Sequence, residues 1–254
     1  MSEWNTDLTT IPICEMVCKD GINSPDDLVK LKKTTPARIG IGHAGARYTT
    51  KAMLRFWADQ AAAADAVYSE VSKKTVEELG VFEVSTKCKS KYEMITRPDL
   101  GRLFDESTLA FISSNCIHAP DVQIYFGDGL CAPSIGANIP YLFPTIKAGL
   151  ESENIGIGTP FFVRYCRVNT ARYIGSLLNA KVTCVLIGER PGLITSESMS
   201  AYIAYDARPD MLESDYKVVS NISRAGIPPV EAGAYIVDVI KELLEKGKEN
   251  GHVG

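Results

Sequence analysis

Apolar residues recur along the chain with two different periods, and the change from one to the other lays out its plan. From Thr49 or Thr50, either of which can cap a helix, Leu54, Trp57, Ala61, Ala64, Val67, Tyr68 and Val71 repeat at helical spacing to about Ser72. A second helix is expected near 73–79. From about residue 81 short apolar runs alternate with helical patterns. "VFEVS" reads as a strand. "PDLGRLFDESTLAFISS" reads as a helix opened by Pro98, with Leu103, Phe104, Leu109 and Ile112 on one side. "DVQIYF" is a strand running into "GDG". "IPYLFPTIKAGL" is a helix, or two pieces around Pro144. "FFVRY" is a short strand, and "NTARYIGSLLNA" a helix with Asn169 as its candidate cap. "KVTCVLIG" reads as a buried strand, because Val182, Val185, Leu186 and Ile187 leave almost no polar face. "AYIAY" is another strand. Last comes an amphipathic helix that starts at Pro228-Pro229 and buries Ile236, Val237, Ile240, Leu243 and Leu244.

Strands alternating with helices predict an α/β fold: a Rossmann-like, mostly parallel sheet with helices on both faces. A small helical N-terminal unit precedes it. The expected division is a polar arm at 1–34, broken by Pro12, Pro25 and "DGINSPDD", a helical unit at 35–90, and the main domain at 91–254. "ARIGIGHAGARYTT" is a Gly-rich turn region between arm and helix.

The chain's 254 residues, 45% hydrophobic and 23% charged, are ordinary for a globular protein. A net charge of −4 argues against a nucleic-acid partner. No apolar run approaches the roughly 18 residues of a membrane span. Residues 1–20 do not read as a signal peptide, and seven scattered cysteines point to a reducing cytoplasm. Cys14 and Cys18 lack a second pair or a nearby His for a zinc site. His43, His118 and His252 are too isolated for a metal cluster. No nucleophile–base pair can be assembled from spacing.

Ligands of open α/β sheets sit outside the carboxyl ends of the strands. Two strands here end in polar Gly turns: Phe126 into "GDGLCAPS" and Ile187 into "GERPGLITSES". A third segment, "SNISRAGIPP" at 220–229, leads into the last helix and offers its N-terminal amides to an anion. Asp128, Glu189 and Arg190 are equally at home as turn and capping residues. "GIGHAG" at 40–45 matches a dinucleotide fingerprint, but without a full preceding strand or a prompt helix.

Five long stretches then carry a resemblance. "ITRPDLGR" (95–102), "DVQIYFGDGL" (121–130), "GTPFFVRYCRV" (158–168), "GERPGL" with "SES" (188–198) and "SNISRAGIPPVEA" (220–232) occur in order. Over about residues 36–245 the chain resembles the light chain, or small subunit, of ethanolamine ammonia-lyase. The resemblance implies an adenosylcobalamin-dependent lyase converting ethanolamine to acetaldehyde and ammonia by a radical route. It implies a heavy-chain partner that carries the substrate site and shares the cofactor, and a cytoplasmic location inside a bacterial microcompartment. No catalytic residue or metal ligand is then expected in this chain, because the hard chemistry is the cofactor's. Family cobalamin contacts carry over to Val168, Glu189 and Val218. The family can have Cys at the third place, so Val218 is left with packing or a backbone contact. Phe161 and Phe162 are expected to pack the strand, and Arg164, Arg167 and Arg190 to balance Glu189 or meet the heavy chain. Two other readings stay open on the residues alone: a stand-alone nucleotide-binding oxidoreductase, resting on "GIGHAG", and a microcompartment scaffold docked by its arm.

Overall fold

The computed structural model describes residues 7–18 and 22–249. His252 lies outside them. The chain forms two compact units: the described residues up to Ala64 together with Gly192–Ile194, and Asp65–Pro191 together with the described residues from Thr195 onward.

In the first unit, short 3-10 turns at Leu8–Thr10 and Ile13–Glu15 precede α1 (Pro25–Lys32). Part of the stretch expected to be an arm is therefore folded. Lys32 is buried and donates from Nζ to the Ile39 carbonyl at 2.6 Å. Strands β1 (His43–Ala44) and β2 (Arg47–Tyr48) make a small antiparallel hairpin. "GIGHAG" leads into this hairpin, and Gly40, Gly42 and Gly45 take the positive φ that tight turning requires. It does not join a strand to a helix, so the context of a dinucleotide fingerprint is missing. Helix α2 (Thr50–Tyr68) follows, and the Thr49 hydroxyl accepts from the Ala52 N–H as expected of a cap.

The second unit contains α3 (Lys73–Glu78), β3 (Phe82–Ser85), α4 (Lys91–Thr96), α5 (Glu106–Asn115), β4 (Val122–Gly127), α6 (Pro133–Ser152), β5 (Phe161–Arg164), α7 (Thr170–Leu178), β6 (Val182–Gly188), β7 (Met199–Tyr205), β8 (Lys217–Ile222) and α8 (Pro229–Glu249). Six of these strands form one sheet in the order β3-β5-β4-β6-β7-β8. The first four run parallel. β7 is antiparallel to β6, and β8 to β7. The sheet is thus mixed, with a parallel half and an antiparallel edge. The cause is connection length: β6 and β7 are joined by ten residues without a helix, too little for a crossover.

Alternation along the strands separates two cores. Ile124, Phe126, Leu186 and Phe162 face α6 and α8, while Tyr125, Val185, Ile187 and Phe161 face α5 and α7. Phe161 and Phe162 do pack the strand, both fully buried on opposite sides. Helix α6 continues through Pro140 and Pro144. Gly136, Pro140 and Pro144 share an exposed face, so water can take the freed carbonyls, and buried Ile135, Ile139, Leu142, Ile146 and Leu150 hold the opposite face. The helix expected from Pro98 breaks into a 3-10 turn at Leu100–Arg102 followed by α5. Its early carbonyls are taken by other segments: Gly101 accepts from the Arg167 N–H and Leu103 from the Lys87 N–H.

Candidate functional site at the carboxyl rim of the sheet

Strands β4 and β6 end side by side and their following loops interlock. The Gly188 carbonyl accepts from the Leu130 N–H at 3.0 Å. A Cβ at Gly188 would strike the carbonyls of Asp128 and Cys131, and Gly129 takes a φ of 53° to pass beneath. Cys131 Sγ donates to the Ser196 carbonyl at 2.7 Å, and Asn138 Nδ2 to the Glu197 carbonyl at 2.7 Å. These contacts pin the loop after β6 to the start of α6.

Glu189 leaves β6 half-buried, its N–H donating to the Ser198 carbonyl at 3.0 Å. The carboxylate accepts from three donors: Ser198 Oγ at 2.5 Å, Ser200 Oγ, and the Asn221 N–H at 3.1 Å. An ionised carboxylate offers about four acceptor sites. One remains, on Oε2. The "SNISRAGIPP" segment therefore meets Glu189 through Asn221. Its other amides close a tight loop on themselves, with Ser223 donating to Ile227 and Ile227 to Asn221.

Val218 stands opposite Tyr202 on β7, on the same side of the sheet, and is 47% exposed. Tyr202 packs against the α7-side core, as does the half-buried Val168. Burial first, then the nearby carboxylates of Glu189 and Glu213, push the Tyr202 hydroxyl above its ordinary pKa. Tyr202 thus links two of the three positions. Val218 stands opposite it in mid-sheet, level with Val185 of β6, and the Tyr202 hydroxyl feels the Glu189 carboxylate just past the end of β6, while Val168 packs against the same α7-side core. Asn169 does not cap α7 with its side chain. It donates instead to Glu213 at 2.9 Å, fixing the loop that carries Val168.

The expected arginine partners of Glu189 are elsewhere. Arg164 chelates Glu83 at 2.9 and 2.5 Å, and Arg167 donates to the Met94 carbonyl at 3.2 Å, while Arg190 is exposed. Asp128 is taken by Lys91 at 3.0 Å. His43 stacks on Tyr48, and His118 is held by Ser113. Among the described residues no group of His, Cys, Asp and Glu could hold a metal ion, and no helix is long and apolar enough to cross a membrane. Sequence reasoning missed Tyr202 and Ser200, and it singled out the segment of Asn221 for its amides without joining it to Glu189. Nothing near Tyr202 or Ser200 in the sequence marks them, and all three become local to Glu189 only through β7 and β8.

Residues 25–251 match the family model described as "Ethanolamine ammonia-lyase light chain (EutC)". The chain is 50% identical over 240 residues to the ethanolamine ammonia-lyase small subunit of Clostridium tetani, covering 94% of this chain and 81% of that one. It is 50% identical over 226 residues to that of Clostridium acetobutylicum, covering 89% and 93%. To that of Listeria monocytogenes it is 45% identical over 240 residues, covering 94% and 82%. With a family model matched over most of its length and relatives this similar, the chain belongs to the ethanolamine ammonia-lyase light-chain, or small-subunit, family.

Proposed function

We propose that this chain closes over adenosylcobalamin in an ethanolamine ammonia-lyase, with Val168, Glu189 and Val218 as its wall toward the cofactor and a heavy chain carrying the substrate site. The observation that supports the reading is that Tyr202, on the α7 side of the sheet, stands opposite Val218 and feels the Glu189 carboxylate at the carboxyl end of β6, with Val168 packed against the same core and Glu189 at the rim where α/β sheets bind ligands. The residues fit such a group. Glu189 has one acceptor site left for an amide or hydroxyl donor, and its other contacts hold it still. Val168, half-buried, and Val218, 47% exposed, offer apolar surface. When bound, the cofactor supplies the radical chemistry that takes ethanolamine to acetaldehyde and ammonia. This chain's own residues bind and orient it and exclude water from one side. On this reading the cofactor faces a Rossmann-like region at 91–254, preceded by a helical unit at 35–90 and an arm at 1–34. The assembly works in the cytoplasm, inside a microcompartment.

The test is reconstitution. The purified chain alone should show no ammonia-lyase activity and should retain cobalamin poorly in equilibrium dialysis. Mixed with the heavy chain of a related enzyme, it should restore both. Turnover by the chain free of heavy chain would overturn the reading.

A further inference from the structure

Helix α2 is amphipathic in the reverse of the usual sense. Its inward face is ionic: Arg55 and Asp59 are buried and paired at 2.8 Å, Arg38 joins Asp59 at 2.6 Å, and Arg55 also donates to the carbonyls of Leu8 and Ile11. Its outward face is apolar. Leu54, Trp57 and Tyr68 are 44%, 56% and 57% exposed, and Ala61 and Ala64 between them are exposed too. A helix with its charges inside and its aromatic residues outside has an unfilled contact.

The spacing of that face identifies what fills it. Thr50, Leu54, Trp57, Ala61, Ala64 and Tyr68 follow alternating steps of four and three, the seam of a coiled coil. About the middle of the helix each large residue of the seam, Leu54, Trp57 and Tyr68, mirrors a small one, Ala64, Ala61 and Thr50. Laid antiparallel on itself, the seam sets Trp57 against the partner's Ala61, Leu54 against the partner's Ala64, and Tyr68 against the partner's Thr50. Every layer joins a large residue to a small one, which is what close interdigitation needs. The receiving end is already hollow: a groove of about 630 Å³ is lined by Ala46, Tyr48, Thr50, Met53 and Trp57. The same register puts Lys51 beside the partner's Asp65 on both sides of the two-fold axis, opposite charges at flanking positions, and Met53 beside the partner's Val67. We infer that two copies of this chain pair through antiparallel α2 helices. An unrelated partner surface gives no reason for size and charge to match within one helix.

The seam is about 28 Å long, at the small end of specific interfaces, so pairing of the free chain belongs in roughly the micromolar range. Sedimentation equilibrium of the full chain between about 1 and 100 µM should show monomer and dimer. Trp57→Asp should weaken the dimer roughly 30-fold or more. Lys51→Asp and Asp65→Lys should each weaken it about three- to tenfold, and the two together should restore it. Far-ultraviolet circular dichroism checks that each variant folds; should Trp57→Asp unfold, the charge reversals decide alone. A parent that stays monomeric to about 100 µM overturns the proposal. So does a double reversal no better than the single ones. So does a Trp57→Asp variant that dimerises like the parent yet no longer co-purifies with the heavy chain, which would assign the stripe to that subunit.

Discussion

Strands β4 and β6 are neighbours, run the same way, and end in the same short pattern, Gly127-Asp128 and Gly188-Glu189. The two acids share little else. Asp128 is fully buried. Lys91 Nζ lies 3.0 Å from one of its oxygens, the Cys166 N–H donates to the other at 2.8 Å, and Lys91, itself buried, also donates to the Gly129 carbonyl. Glu189 is half-buried and held by two hydroxyls and one amide, all neutral. The difference follows from burial. A carboxylate out of water needs a cation, since desolvating it alone costs several kcal/mol. One at the rim keeps some of its hydration and can be fixed by dipoles. Asp128 therefore has its charge neutralised inside the protein. Glu189 keeps its charge facing outward, where Tyr202 already feels it.

The comparison breaks most readily at the buried end. Asp128→Ala leaves the Lys91 ammonium buried without its partner and should destabilise the chain by about 3–5 kcal/mol in urea unfolding. Lys91→Met together with Asp128→Asn should recover part of that, because no full charge is then left inside. A loss below about 1 kcal/mol for Asp128→Ala would mean the pair is solvated after all, as surface pairs are, and the contrast with Glu189 would vanish.

At the rim the expected loss appears in binding. In the reconstituted complex, Glu189→Ala should weaken cobalamin by about 1.5–3 kcal/mol, roughly ten- to a hundredfold, if the remaining acceptor site meets a donor on the cofactor. The free chain should lose less stability than with Asp128→Ala, since Ser198 and Ser200 can turn their hydroxyls elsewhere. Cofactor titration separates the alternatives. An unchanged affinity with a collapsed kcat at saturation would contradict a wall role for Glu189.

How far the sequence could have told these acids apart is instructive. Both loops were legible as rim loops, because each follows an apolar strand and begins with Gly. Their roles were not, because Lys91 lies 37 residues before Asp128 and Asn221 lies 32 residues after Glu189. Periodicity reports which way a side chain faces; it carries no information on what stands there. The same limit explains the missed strand β8. Its burial runs in threes, with only Val219 and Ile222 inside, because a register shift at Met199/Ala201 breaks the alternation that a strand search needs. The helix expected from Pro98 begins only at α5 because the Gly101 and Leu103 carbonyls before it are taken by the Arg167 and Lys87 N–H groups, contacts from other segments. What was fully legible were the strands with both faces buried, β4 and β6, where the apolar run alone suffices.

Raising the pH sharpens the contrast from the interior side. Burial pushes the Cys184 thiol on β6 up to about 12, and raises Cys166, beside Asp128, well above its ordinary value. Both stay protonated in the fold at pH 10, while in the unfolded chain they ionise above about 8.5. The unfolded state then binds fewer protons, so stability falls as pH rises through 9 and beyond, by up to about 1.4 kcal/mol per pH unit for each thiol. Urea midpoints between pH 8 and 10 check this, and Cys184→Ala should flatten the slope by one thiol's share. A slope that does not change with Cys184→Ala would mean this thiol is not shielded as its place in β6 requires.

The smallest effects belong to the two valines, and they test whether the rim wall is one surface. Val168 is half-buried and packs against the α7-side core, so Val168→Ala loses some packing within the fold as well as at the wall. Val218 has about half its surface free and its partner Tyr202 remains when it is cut back. Each truncation removes two methyl groups, worth about 1 kcal/mol or less at a partly exposed place. Val168→Ala should therefore lower the urea midpoint slightly and cobalamin affinity a few-fold at most. Val218→Ala should leave the midpoint in place and change affinity by a similar small factor. The charged variants magnify the same question. On the proposed binding mode Val168→Asp and Val218→Asp each set an unpaired carboxylate against the cofactor's apolar surface, and both should then bind cobalamin far more weakly than the alanine variants. If Val168→Asp loses affinity and Val218→Asp does not, the cofactor reaches the loop after β5 and stops short of β8.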